Sequence, residues 1–111
     1  MPNVMTLFKT SLSGLGVCLL GAAMNYAVMF SNGGRMPVFM DGCSGYEDVI
    51  IDSRHVCASA MTHLVPLADY IRLGNFIYSP GDFLIFTGQV LCVTTAVLFI
   101  GARIVQKFKK A

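Results

Sequence analysis

Two stretches decide the fold: TSLSGLGVCLLGAAMNYAVMF at residues 10–30 and FLIFTGQVLCVTTAVLFIGA at residues 83–102. Neither carries a charged side chain, and the first charge-free run continues to Gly34. At about 1.5 Å per helical residue, each is long enough to cross a hydrocarbon core of about 30 Å. Charged residues make up 13% of the chain and hydrophobic residues 55%, whereas an average soluble domain is about 25% charged. A chain of 111 residues has too little protein to cover two such helices on every face. The sequence therefore reads as an all-α membrane protein: a two-span transmembrane helical hairpin with an external loop containing short interfacial helical segments. It has room for one membrane domain. The expected layout is a helix over 10–31, an external loop over 32–79, a second helix over 80–105 and a basic cytoplasmic tail over 106–111.

The charges outside the spans set the orientation. Lys9, Arg103, Lys107, Lys109 and Lys110 lie at the two ends with no acid among them. Arg35, Arg54 and Arg72 lie between the helices with all six acids, Asp41, Glu47, Asp48, Asp52, Asp69 and Asp82. Basic residues near helix ends stay on the cytoplasmic side, so both termini are expected there, in a multi-pass protein of the cell (inner or plasma) membrane. The basic tail is too small a surface for nucleic acid, and anionic headgroups are its expected partner. The first run is too long for an ordinary signal-peptide core, and Asn25-Tyr26-Ala27 is a poor cleavage site. Leu15-Gly16-Val17 before Cys18 does not form a lipoprotein box.

Local signals mark the helix ends. Asn32-Gly33-Gly34 accepts the left-handed conformation that closes a helix, and Pro37 forces Met36 into an extended exit. Ser79 is a good N-cap, Pro80 suits the first helical position, and Asp82 completes a capping box. Between the spans, Asp41-Gly42 and Ser44-Gly45 read as turns and Val49-Ile50-Ile51 as a β-capable piece. Arg54–Thr62 reads as a short surface helix interrupted at Pro66, and Leu67–Leu73 as an interfacial segment. Phe30, Phe39, Tyr70, Phe76 and Tyr78 at one end, with Phe8 and Phe108 at the other, form an aromatic belt.

Small residues recur every four positions, at Gly14, Cys18 and Ala22 and at Gly88, Cys92 and Ala96. Such stripes let membrane helices approach closely. Asn25, Tyr26, Thr87, Gln89, Thr94 and Thr95 would face lipid in an isolated pair, which points to self-association or a larger membrane complex. Cys43 and Cys57 could close a loop worth about 3 kcal/mol, but sequence leaves open whether their geometry permits the bond. His55, Cys57 and His63 match no standard zinc spacing, and no residue set requires a metal or cofactor. Arg35, just past the first helix, is expected to bond open helix-end carbonyls or pair with Asp82 or Asp69.

The string Asn25-Tyr26-Ala27-Val28-Met29-Phe30-Ser31-Asn32-Gly33-Gly34-Arg35-Met36-Pro37-Val38 resembles the signature of an uncharacterised family of small bacterial membrane proteins, a domain of unknown function. His63, Pro66-Leu67-Ala68-Asp69 and Ser79-Pro80-Gly81-Asp82 are also similar, and the likeness runs from about Asn25 to Gly88. Members of that family carry further membrane helices before this region. The resemblance thus implies a bacterial membrane location, a bundle completed by other subunits, and no established activity. The leading expectation is a non-catalytic small membrane protein, a subunit or interaction module of a larger or homo-oligomeric assembly. A transport or small-ligand role using Asn25, Gln89, Thr94 and Thr95 is the alternative. An interfacial lipid-acting enzyme with His63 as base is the third.

Overall fold

A computed structural model of the chain describes residues 3–43 and 49–110. The turn read at Ser44-Gly45 lies outside these described residues. Two helices, α1 (Val4–Ser31) and α2 (Pro80–Lys110), enclose a segment whose described residues form four three-residue strands: β1 (Met36–Val38), β2 (His55–Cys57), β3 (Ile71–Leu73) and β4 (Phe76–Tyr78). A 3-10 turn occupies Val65–Leu67. Both helices are long and apolar enough to cross a membrane, and the molecule extends 68 × 25 × 20 Å.

Both helices outrun the boundaries expected from sequence. α1 begins at Val4, not residue 10, because Asn3 caps it by accepting the Thr6 N–H at 2.8 Å. α2 runs on to Lys110, so the expected tail is helical through that residue, with Lys107, Lys109 and Lys110 at the negative end of its dipole. At the other end of α1, Gly33 and Gly34 have φ of +73° and +86°. The Gly34 N–H reaches the Met29 carbonyl at 2.8 Å, which closes the helix in a Schellman-type turn.

The segment between the helices is not all-α. β1 pairs in parallel with β2, Met36 opposite His55 and Val38 opposite Cys57. β3 and β4 form an antiparallel hairpin around Gly74, at φ +62°. Val38 also bridges to Asp69, and Ile50 to Val56. The helix expected over Arg54–Thr62 is replaced by β2 for a local reason. The Asp52 carboxylate accepts the Arg54 and His55 N–H groups at 2.7 and 2.8 Å, a turn that competes with helix, and the Met36 N–H takes the Arg54 carbonyl at 2.7 Å. The interfacial segment expected over Leu67–Leu73 divides between the 3-10 turn and β3. Cys43 and Cys57 form a disulfide across 14 residues, Cα–Cα 5.4 Å. Val28, Met36 and Ala68 make a small core that Met29 and Leu67 complete, fastening the segment to the end of α1.

The helices run antiparallel along a seam with a seven-residue period. Leu7, Gly14, Gly21 and Val28 are buried on α1, and Gly81, Gly88 and Thr95 on α2. A strict seven-residue repeat keeps one face toward the partner. The four-residue stripes read from sequence overlap this seam only partly. Gly14 and Gly88 lie at its centre, and Cys18 and Cys92 flank it, their thiols donating to the Ile85 carbonyl at 3.2 Å and the Ser11 carbonyl at 3.6 Å. Ala96 is exposed, and the buried position beside it belongs to Thr95. Thr95 is also satisfied without a partner chain, its hydroxyl donating to the Leu91 and Cys92 carbonyls at 2.9 Å.

The seam is tight because it is backbone against backbone. A Cβ on Gly14 would sit 2.9 Å from the Gly88 carbonyl oxygen, and one on Gly21 would sit 2.5 Å from that of Gly81. Gly16 and Gly101, also helical, have open space instead. Gly88→Val is therefore expected to cost about 1–3 kcal/mol through overpacking and to lower the melting temperature in detergent. Gly16→Val should leave it nearly unchanged. Equal losses in both variants would show that the seam is not the close contact described.

Candidate functional site

Ser79, Pro80 and Asp82 form the start of α2 as their sequence suggests, and the capping box is physical. The Ser79 N–H donates to Asp82 Oδ2 at 3.0 Å and the Asp82 N–H to Ser79 Oγ at 3.2 Å. Asn25, one turn beyond Gly21 on α1, adds a third member. Its Oδ1 accepts the Ser79 hydroxyl at 2.7 Å and its Nδ2 donates to Asp82 Oδ1 at 2.9 Å. A Cβ on Gly81 would collide with Asn25 Oδ1, so the glycine makes room for this network. Ser79 is fully buried. Asn25 is thus satisfied within the chain, without the partner that sequence reasoning sought for it.

A second amide pins the loop. Asn32 Nδ2 donates to the carbonyls of Val28 at 2.7 Å and His63 at 2.9 Å, and its Oδ1 accepts the His63 N–H at 2.8 Å. His63 is held by its backbone, and its side chain is exposed. Arg35 does not pair with Asp69 or Asp82. Its Nε donates to the Asp52 carbonyl at 3.2 Å, while Asp82 already accepts from Asn25 and Ser79. Pro37 is fully buried in β1, where its carbonyl accepts the Asp69 N–H at 3.0 Å.

Asp69 is the exception to this satisfaction. It is 6% exposed, yet Oδ1 has no hydrogen-bond partner. Burial, followed by the charge of Asp82, pushes its carboxyl up to about 6, with His55 pulling the other way. Two cavities of about 560 and 570 Å³ meet here, sharing His55, Asp69, Asp82 and Ile85 in their walls. The first continues along α2 past Phe83 and Phe86 to Gln89. The second includes Ala22, Asn25 and Arg54. His55 Nδ1 lies 2.9 Å from Asp52 Oδ1. The Arg54 N–H and then the His55 ring hold the Asp52 carboxyl below the usual range.

This cleft combines two carboxylates, an imidazole and a guanidinium beside an apolar trough. His63 lines neither half. Cys57 is in the disulfide, and among the described residues no three His, Cys, Asp or Glu side chains are grouped to hold a metal. Sequence reasoning singled out Asp69 and Asp82 but weighed His55 only as a metal ligand, and it missed Arg54. Their neighbourhood depends on the β1–β2 pairing, which has no local signature.

Residues 3–94 match a family of unknown function, DUF5317, in keeping with the uncharacterised family that residues 25–88 resemble. No curated protein and no solved structure matches the chain.

A carboxyl raised above its unfolded value favours the folded state when protonated. That contribution is complete below about pH 4, the unfolded carboxylate range, and is lost as pH rises through about 6. In detergent without added lipid, Asp69→Asn should therefore melt above the wild type at pH 8, and the gap should close at pH 4.5. A gap that is constant across this range would assign the effect to packing and not to the charge.

Proposed function

The chain belongs to this family of unknown function, and we propose that it is a non-catalytic integral membrane protein, a two-span hairpin that serves as a subunit or interaction module. One observation carries the reading: the helices bury a narrow seam of glycines with Leu7, Val28 and Thr95 and leave large apolar side chains exposed along the rest of their length. Leu19, Phe86 and Val93 are each more than 60% exposed, a surface that water does not tolerate and that lipid or neighbouring helices would cover. Gln89 and Thr94 are also exposed within the apolar stretch of α2. Neither side chain has a hydrogen-bond partner among the described residues, and a polar side chain at that depth favours association with another helix. The assembly is homo-oligomeric or larger in this reading.

A polar transport path has less support. Of its four candidate residues, Asn25 and Thr95 are occupied inside the seam and Gln89 and Thr94 lie on the outer surface. An enzyme with His63 as base is also disfavoured, since His63 stands apart from the carboxylates.

In the proposed orientation, the disulfide segment lies on the oxidising side and the basic ends lie in the cytoplasm. The chain is then expected to stay with membranes through alkaline carbonate extraction. A single-cysteine Lys109→Cys variant in intact cells should resist an impermeant maleimide and react only after permeabilisation. Extraction by carbonate would end the membrane reading, and labelling of position 109 in intact cells would reverse the orientation.

A further inference from the structure

Asp69 has a backbone fixed on both sides. Its N–H donates to the Pro37 carbonyl at 3.0 Å, and its carbonyl accepts the Phe39 N–H at 2.8 Å. The carboxylate is thus held at the junction of the two cavities with one oxygen unpaired. Leaving a buried acceptor unmade is costly, and a donor from outside the chain would remove that cost. Rotation of the carboxylate about its broad two-fold χ2 lets a donor in the cleft engage either oxygen.

The surroundings narrow the donor. Asp82 adds a second negative charge while its oxygens keep Asn25 and Ser79, so the site favours a cation. Asp69, Asp82 and His55 share the cleft walls but, among the described residues, no three such side chains are grouped to hold a metal ion, which favours N–H donors over a coordinated ion. From Asp82 the trough descends along Phe83 and Phe86 to Gln89, seven residues or about 10 Å of helix. That places an apolar channel directly under the carboxylates, on the side where an acyl chain would lie. In the other half stands Arg54, whose guanidinium has no ion-pair or hydrogen-bond partner among the described residues, a cation available to a phosphate.

We propose that this cleft binds an aminophospholipid, with its primary ammonium on Asp69 and Asp82, its phosphate at Arg54, and an acyl chain along Phe83, Ile85 and Phe86. The inference rests on the membrane reading above and adds a ligand class to it. Phosphatidylethanolamine has the N–H donors this site lacks, whereas phosphatidylcholine has the same charge and no N–H to give.

The test reconstitutes the full chain into nanodiscs of phosphatidylcholine alone or of equimolar phosphatidylcholine and phosphatidylethanolamine. Native mass spectrometry then reads the lipid retained on release. The wild type should retain phosphatidylethanolamine over phosphatidylcholine by about tenfold, the equivalent of about 1.4 kcal/mol. Asp69→Asn should lose that preference while melting no lower than the wild type in phosphatidylcholine. Arg54→Ala should lower retention of both lipids, which share the phosphate. Equal retention of the two lipids by the wild type would overturn the proposal without any variant, and so would a preference that survives Asp69→Asn. Displacement of the lipid by soluble glycerophosphoethanolamine alone would reassign the site to a free amine and overturn the acyl-chain contact. A chain that fails to enter nanodiscs fails the membrane reading instead.

Discussion

The close approach of two helix backbones at paired glycines governs the rest of the architecture. With Gly14 against Gly88 and Gly21 against Gly81, the helices are too near for a methyl group at these points. That proximity puts Asn25 within reach of the α2 start, where one amide serves both Ser79 and Asp82. In a low-dielectric surrounding such bonds are strengthened, and their loss leaves unpaired groups that are expensive to bury. Between helices in lipid they contribute about 0.6–2 kcal/mol each. The seam and the amide are therefore one device: dispersion contact over several turns, ended by a polar clamp that fixes rotation and axial register.

The segment between the helices takes its position from the same end of the pair. The Asn32 side-chain amide ties the end of α1 to the His63 backbone by two hydrogen bonds, and the core of Val28, Met36 and Ala68 seals the join. β1 then takes β2 on one side through Met36 and Val38 and Asp69 on the other through Val38. The disulfide ties β2 back to Cys43 and limits the conformations the unfolded loop can sample. A short segment with little apolar core is thereby held over the helix ends by backbone bonds, one cross-link and a single amide.

What was legible in the sequence is what local chemistry writes. The two spans follow from charge-free length, the α2 start from Ser79-Pro80 and Asp82, and the α1 stop from Asn32-Gly33-Gly34. The seven-residue seam was also present, as Gly14 to Gly21 and Gly81 to Gly88, but a four-residue template selects Ala22 and Ala96 in place of Gly21 and Thr95. The strands were not legible. Met36 faces His55 across an intervening loop, and three-residue strands show no periodicity. Arg35 illustrates a different failure. Pairing by opposite charge pointed to Asp82, yet a carboxylate already engaged by a capping box and an asparagine has less to gain from a guanidinium.

Asp52 shapes the cleft without lining either of its halves. His55 lines the cleft and partly offsets the Asp69 charge, but its ring is shared with Asp52. Its carboxylate engages the His55 ring, and its carbonyl accepts from Arg35. The same carboxylate also accepts the N–H of Arg54, turning the chain so that β2 begins at the next residue. One exposed aspartate thus shapes the turn that builds the second strand and also engages the imidazole beside the buried one. An unpaired buried acceptor such as Asp69 Oδ1 is costly to keep. Within the chain alone Asp69 keeps that cost, at the point where the two cavities meet and one of them follows α2 past Phe83 and Phe86.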